Sequence, residues 1–322
     1  MSHPISRPVD QASLNATALD WAMSLTIKPI AHVATRSPAT MLALRKVFRL
    51  TGAVLARTPR NINIQPIAAD HVRGEWVVAP RAAQAERVVL YLHGGGYFFG
   101  SAANHRQITW RLSHTLARPV MSIDYRLAPR HSFEHARDDA VAAYCHLLDL
   151  GYRGEDILIS GDSAGGHLTL VLLQTLRDRG LPRPACGICI SPWTDLTGTS
   201  ASIAANAGRD PYIAAPALKL LSRFLSRHHD PYDPLVSPLH GNFDGLPPLY
   251  VLVGSTEVLR DDSRHLAKRA REAGVHVQHE EWHRMPHVFP IFASVLPEAR
   301  SAFRHIARFV AEVEARVVRI AA

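Results

Sequence analysis

The chain has 322 residues, of which 47% are hydrophobic and 20% are charged. This composition is that of an ordinary globular protein and excludes a disordered, collagen-like or disulfide-framework chain. The 36 Lys and Arg residues outnumber the 28 Asp and Glu residues, giving a formal net charge of +8. Because the basic residues are scattered along the chain, we interpret them as a solvated surface and expect no nucleic-acid partner.

The three cysteines, Cys145, Cys186 and Cys189, are too few for a disulfide scaffold. The last two form a C-x-x-C pair inside an apolar run, and no second pair follows, so buried strand residues are favoured over a zinc or redox site. Residues 1–10 lack the apolar core of a signal peptide, and no run approaches the roughly 20 apolar residues of a membrane span. We therefore expect a soluble, cytoplasmic protein with no membrane association and no metal.

Two helices are predicted before any strand, over residues 11–27 and 41–55, because apolar residues recur there at helical spacing. Short apolar or alternating runs then predict three strands, over residues 61–68, 75–79 and 87–92. Helices and short apolar strands alternate in the rest of the chain. The helices are predicted over residues 104–116, 134–150, 165–177, 261–273 and 298–319, and the strands over residues 119–123, 157–160, 185–190, 249–253 and 276–280.

This alternation is typical of an α/β fold, with a mostly parallel central sheet flanked by helices on both faces. The first two or three strands lack intervening helices and are expected to form an antiparallel edge. Residues 195–240 break the alternation with helix-like and Pro-rich sequence. We expect them to form an insertion that lies over the sheet.

A Gly-x-Ser-x-Gly motif at residues 161–165 stands between an apolar strand and an Ala- and Leu-rich helix. Ligand chemistry in open α/β sheets is expected at this carboxyl edge of the strands. The two glycines lack the Cβ atoms that would clash in so tight a turn, so Ser163 can occupy a strained elbow with its hydroxyl exposed. The motif alone also fits a plain turn, but its position between strand and helix favours a nucleophilic serine.

A His-Gly-Gly-Gly run begins at His93, directly after a predicted strand. Its bare N–H groups could bind the oxygen of a tetrahedral intermediate, together with the N–H of Ala164. Gly94, Gly95 and Gly96 are all candidates for this oxyanion hole, with Gly95 and Gly96 expected to donate and Gly94 to shape the turn. A phosphate-binding loop is disfavoured because no Gly-Lys-Ser/Thr follows, and His93 is expected to hold the loop rather than to act as a base.

A nucleophilic serine needs a general base and a group that orients the base. Glu257 lies on a strand-end loop, where it could accept the Nδ1–H of a histidine. His287 lies on the loop after the last predicted strand, between apolar residues that could fix its ring. Asp261 and Asp262 are alternative acids, although residues of this type usually begin a helix, and His283 is an alternative base.

These motifs resemble the hormone-sensitive-lipase family of α/β-hydrolase carboxylesterases, nearest the bacterial branch with monoterpene lactone hydrolases and small-ester esterases. The resemblance implies an α/β-hydrolase fold and a catalytic triad of Ser163, His287 and Glu257, with Glu257 in place of the more usual Asp. It also implies a helical cap, formed by residues 1–58 and joined by the insertion 195–240, over a catalytic domain of residues 59–322. The segments that carry it stand in the family's order: residues 93–96, 124–129, 161–166, 254–262 and 285–287.

The resemblance implies a serine carboxylesterase that hydrolyses short- to medium-chain acyl esters through an acyl-enzyme, without a cofactor. A lactone hydrolase of the monoterpene ε-lactone type is the alternative, while a noncatalytic small-molecule receptor is disfavoured because all three triad residues are present. A long-chain lipase is disfavoured because the cap would wall a short pocket, and a homodimer is compatible with the family. Aromatic residues that could line the pocket, although core packing is the default role of each, are Phe98, Phe99, Trp193 and Tyr212.

Overall fold

A computed structural model describes residues 12–34 and 58–321 of the chain. The second predicted helix, over residues 41–55, lies outside the described residues. The strands form one eight-stranded sheet. They are β1 (Asn63–Pro66), β2 (Gly74–Val78), β3 (Val88–Leu92), β4 (Val120–Ile123), β5 (Ile157–Asp162), β6 (Cys186–Ile190), β7 (Leu249–Gly254) and β8 (Val277–Trp282).

The strand order is β1-β2-β4-β3-β5-β6-β7-β8, and every pairing from β4 to β8 is parallel. In this sheet β2 runs opposite to the other strands and is antiparallel to its neighbours, β1 and β4, so the mostly parallel sheet is confirmed. The third predicted strand does not join the antiparallel edge: β3 lies in the parallel centre. All five of its residues are buried, and a helix connects it to β4 as a parallel crossover requires.

Helices cover both faces of this sheet, as the alternating pattern predicts. In the described residues they are α1 (Leu14–Ala34), α2 (Arg106–Leu116), α3 (Phe133–Asp149), α4 (Ala164–Asp178), α5 (Ser202–Ala205), α6 (Ala215–Leu225), α7 (Arg260–Glu272) and α8 (Pro297–Ala321). None of the helices within residues 12–34 and 58–321 has the length and apolarity that a membrane crossing requires.

Alternate residues of the strands point into two separate hydrophobic cores. In β3, Leu90 and Leu92 pack into the core beneath α3, α4 and α7, whereas Val89 and Tyr91 pack into the core beneath α2 and α8. Every residue of the central strands is buried because both faces are covered. The sheet is therefore well packed on both faces, and the loops that carry the predicted site residues follow the carboxyl ends of its strands.

Two segments predicted to form a cap contact each other. The start of α1 is fixed by Glu298, whose carboxylate accepts hydrogen bonds from the N–H and hydroxyl of Ser13 at 2.6 and 3.1 Å. Farther along, α1 contacts α6 of the insertion. The division into a cap and a catalytic domain stays a prediction.

The C-x-x-C pair lies in β6, and both thiols are free and buried. Burial raises the pKa of Cys186 to about 12, because desolvation disfavours the thiolate. Their interpretation as buried strand residues is confirmed.

Candidate active site

Ser163 occupies a sharp turn between the last residue of β5 and the first residue of α4. Its backbone has φ 54° and ψ −117°, a strained combination for a residue with a side chain. The turn is tight because the flanking backbone segments nearly touch. A Cβ on Gly161 would collide with the carbonyl oxygen of Gly165, and a Cβ on Gly165 with that of Leu92. The close packing holds the strained serine at the carboxyl edge of the sheet.

Glu257 and His287 are joined by a short hydrogen bond, with Nδ1 of the imidazole 2.7 Å from Oε2 of the carboxylate. The carboxylate is fixed from its other side, where Oε1 accepts from the Ser191 hydroxyl at 2.7 Å and from the N–H of Gly254. Since Glu257 accepts the Nδ1–H, the neutral ring keeps its lone pair on Nε2. A histidine in this tautomer is suited to take a proton.

Both members of this pair are buried, with 3% of His287 and none of Glu257 exposed. Burial by itself would lower the pKa of His287, but the hydrogen bond and charge of Glu257, with the charges of Asp210 and Asp162, raise the pKa above its ordinary value. The pair therefore stabilises an imidazolium at position 287, the state that forms when the ring accepts a proton.

The turn at residues 190–193 links the serine to the histidine. The N–H of Ser163 donates to the carbonyl of Ile190 at 2.8 Å, and the N–H of Trp193 donates to the carbonyl of Ser163 at 3.2 Å. On the other side, the N–H of Val288 donates to the hydroxyl of Ser191 at 3.2 Å. No direct hydrogen bond joins the Ser163 hydroxyl to the His287 ring within the described residues. Both segments are thus fixed to one turn at the end of β6.

We name residues 93–100, which are predicted to supply the oxyanion hole, the oxyanion loop, and the three glycines at residues 94–96 lie near its start. Gly95 and Gly96 have φ of +115° and +60°, which only glycine adopts easily. The N–H of Gly94 is already used, because it donates to Oδ1 of Asp162 at 3.0 Å. Ala164 begins α4, and the first N–H groups of a helix have no partner within the helix.

His93, the first residue of this loop, is buried and contacts the loop and Tyr125. Its ring is 1% exposed and stacks on Tyr125 with a centroid separation of 4.3 Å. Its Nδ1 lies 2.8 Å from the carbonyl oxygen of Gly94, and its own carbonyl accepts from the Tyr125 hydroxyl at 2.6 Å. These contacts are those of a residue that supports the loop.

The alternative acids and base lie in other settings. Asp262 accepts from the N–H groups of Thr194 and Asp195, at 2.8 and 3.0 Å, and so holds the chain after β6 in place. Asp261 is in the first turn of α7, and His283 is exposed. None of the three is hydrogen-bonded to His287 among the described residues.

The four candidate pocket residues differ in how much surface they offer. Phe98 and Trp193 are 0% and 2% exposed and pack within hydrophobic clusters, as the default role supposes. Phe99 and Tyr212 are half-buried, and the Tyr212 ring lies 5.8 Å from that of His287. These two therefore have surface to offer a ligand.

Sequence reasoning missed three buried residues that build this site. Ser191 orients Glu257, Asp162 holds Gly94, and Asp210 accepts hydrogen bonds from the N–H groups of Tyr212 and Val258. Of the three, only Asp162 could have been noticed in the sequence, because it is a charged residue at the end of an apolar strand. The other two act through partners 66 and 48 residues away in sequence. Among the described residues, no group of three or more His, Cys, Asp and Glu side chains is arranged to hold a metal ion.

The chain is similar to a known family and to named proteins over most of its length. A model of a family with the α/β-hydrolase fold matches residues 89–291. An acetyl-hydrolase of Streptomyces hygroscopicus is 40% identical over 253 residues, which cover 78% of this chain and 84% of that protein. A carboxylesterase/phospholipase, LipF, of Mycobacterium tuberculosis is 34% identical over 91% of this chain and 80% of its own.

Solved esterase structures are similar to this chain over nearly its whole length. The crystal structure of EstE5 soaked with ethyl alcohol has a TM-score of 0.87 and 37% identity, covering 94% of this chain and all of that one. An esterase from the bacterial hormone-sensitive lipase family has a TM-score of 0.84 and 35% identity, covering 93% and 98%.

Proposed function

The chain belongs to the α/β-hydrolase family, among its hormone-sensitive-lipase-like esterases, and we propose from this membership that it is a serine carboxylesterase. Ser163 is the nucleophile, His287 the general base and Glu257 the residue that orients the base. The observation that carries the proposal is the buried 2.7 Å hydrogen bond between His287 and Glu257. A buried carboxylate and imidazole so paired, fixed to the same turn as a strained serine, support acyl-transfer chemistry.

The reaction proceeds in two steps. Ser163 Oγ attacks the ester carbonyl as its proton passes to Nε2 of His287, and the imidazolium then gives that proton to the leaving alcohol. Water next attacks the acyl-enzyme with the same base, which releases the acid and restores the serine. Glu257 stabilises the imidazolium in both steps, in keeping with the raised pKa of His287.

The N–H groups of Gly95, Gly96 and Ala164 bind the oxyanion that forms in each step. Gly94 is not included, because its N–H donates to Asp162. Each well-placed donor contributes about 3–4 kcal/mol of transition-state stabilisation. The positive end of the α4 dipole acts on the same oxygen.

The substrate we propose is a short- to medium-chain acyl ester. The relatives are named as an acetyl-hydrolase and a carboxylesterase/phospholipase, which favours an ester over the lactone alternative. Tyr212 supplies aromatic surface near the proposed base, and Phe99 offers half-buried aromatic surface on the oxyanion loop.

The test replaces the nucleophile. Ser163→Ala should lower kcat toward p-nitrophenyl acetate by on the order of 10⁶, because the triad acts as a unit. The control, Ser294→Ala, removes the hydroxyl of an exposed serine and should keep the wild-type rate. An undiminished rate in Ser163→Ala would refute the assignment.

A further inference from the structure

His105, at the start of α2, is buried with both ring nitrogens facing acceptors. Nδ1 lies 3.0 Å from the carbonyl oxygen of Ser101, and Nε2 lies 3.4 Å from Oδ2 of Asp162. A carbonyl oxygen only accepts, so Nδ1 carries a proton. In the neutral ring the Nε2 lone pair would then face a carboxylate oxygen.

Asp162 is the residue directly before the proposed nucleophile, and it is 2% exposed. Its Oδ1 accepts from the Tyr91 hydroxyl at 2.5 Å and from the N–H of Gly94 at 3.0 Å. Two donors on one oxygen favour the carboxylate over the neutral acid. A buried carboxylate here, without a counter-charge, would repel the oxyanion that the reaction forms beside it.

We propose that His105 is a permanently protonated imidazolium that balances the charge of Asp162 and, through Asp162, positions the oxyanion loop. This inference rests on the proposed function. His105 touches neither substrate nor reacting atoms in this scheme, so it is a positioning residue. The cation neutralises the carboxylate and leaves it free to hold Gly94, which fixes the path of the loop into Gly95 and Gly96.

The surroundings of His105 favour the cation. Burial alone would lower the pKa of His105, but the charge and hydrogen bonding of Asp162, with smaller contributions from Ser101 and Asp124, raise it. The pKa of Asp162 is correspondingly lowered, despite its burial, chiefly by His105. The charged and titratable groups that face His105 from neighbouring elements are Asp162, Asp124, His93 and Tyr91. The next residue on its own element, Arg106, is paired with Glu75.

The direct test is the protonation state of His105, measured by NMR on the enzyme labelled with 15N-histidine. At about pH 8, where an ordinary histidine is neutral, both ring nitrogens of His105 should carry protons. Its signals are assigned by their absence from His105→Gln or, if that variant does not fold, by their conversion to a neutral ring in Asp162→Asn. A neutral His105 at this pH in the wild type would overturn the proposal, whatever the enzyme's activity.

Kinetics separate charge balance from a merely structural role. In His105→Gln the negative charge of Asp162 is no longer balanced, and it should lower kcat/KM by roughly tenfold by repelling the oxyanion. The same charge of Asp162 stabilises the imidazolium of His287, so the acid limb of the pH profile should also move to higher pH. The double variant His105→Gln, Asp162→Asn has no net charge at these two positions, and its acid limb should return to the wild-type pH. The control, His265→Gln, changes an exposed histidine and should alter neither.

A structural role alone would lower the rate in His105→Gln without moving the limb, and that result would refute charge balance. A failure of the His105 proposal can be distinguished from a failure of the proposed function. If Ser163→Ala were fully active, the esterase mechanism would fall while the NMR result for His105 stood.

Discussion

At the scale of single residues, Glu257 sets the pH range of the proposed reaction. His287 must be neutral to accept the serine proton, so the rate rises with pH through the pKa of His287. That pKa is raised in spite of burial, mainly by Glu257. The variant Glu257→Gln should therefore move the acid limb of kcat/KM to lower pH and lower kcat by about 10³–10⁴ through loss of the correct tautomer.

The measurement is a pH–rate profile with p-nitrophenyl acetate. Glu272→Gln is a matched control, because Glu272 is exposed near the end of α7 and should leave the profile unchanged. A limb that stays in place in Glu257→Gln would mean that another charge sets the pKa of His287.

The sequence supplied Ser163, Glu257 and His287 as candidates because each follows a recognisable strand, at the edge where parallel strands end together. It did not supply Ser191 or Asp210. Their roles depend on which loops become neighbours once β6 and β7 pair. A hydroxyl or carboxylate in a loop carries no local sign of such a distant partner.

At the scale of elements, the elbow depends on the close approach of α4 to β3. A Cβ at Gly165 would collide with the backbone carbonyls of Leu92 and His93, which cannot move without distorting the strand. Gly165→Ala should therefore lower the free energy of unfolding by about 1–3 kcal/mol or more. Urea denaturation measures this, with Gly208→Ala as the control, since nothing lies within 4 Å of the Cβ position there. Equal stability of the two variants would contradict the packing.

Most strands and helices could be predicted because their apolar periods are strong. The structure shifts their ends by only a few residues, except that α1, predicted to end at residue 27, continues to Ala34. The position of β3 within the sheet could not be predicted. Its run of apolar residues fits an edge or a centre equally, and only the order of pairing, with β4 and β5 on either side, decides. Strand order is a property of the assembled sheet rather than of one segment.

At the scale of the whole molecule, a buried histidine ties two distant regions together and makes stability depend on pH. His167 donates from Nε2 to the carbonyl of Val236 at 2.9 Å and accepts at Nδ1 from the Tyr97 hydroxyl, 2.6 Å away. Burial lowers its pKa to about 4, below the value of about 6.5 in the unfolded chain. The stability it contributes is complete above pH ~6.5 and is lost as the pH falls toward ~4.

His167→Gln should thus be less stable than the wild type at about pH 7, with a gap that narrows by up to about 1.4 kcal/mol per pH step as the pH falls toward 4. Urea denaturation at several pH values gives both curves. His265→Gln, at an exposed site, should show no gap at any pH. A gap for His167→Gln that is constant with pH would show that the histidine does not change its protonation between the folded and unfolded chain.

The central claim is that one serine out of all those in the chain is the nucleophile, and covalent labelling tests it most directly. Diethyl p-nitrophenyl phosphate transfers its diethylphosphoryl group to an activated serine oxygen and releases p-nitrophenolate. After tryptic digestion, mass spectrometry should find the added mass on the peptide of residues 154–177, at Ser163, in proportion to the activity lost. A label on another residue, or full inactivation with Ser163 unmodified, would contradict the account.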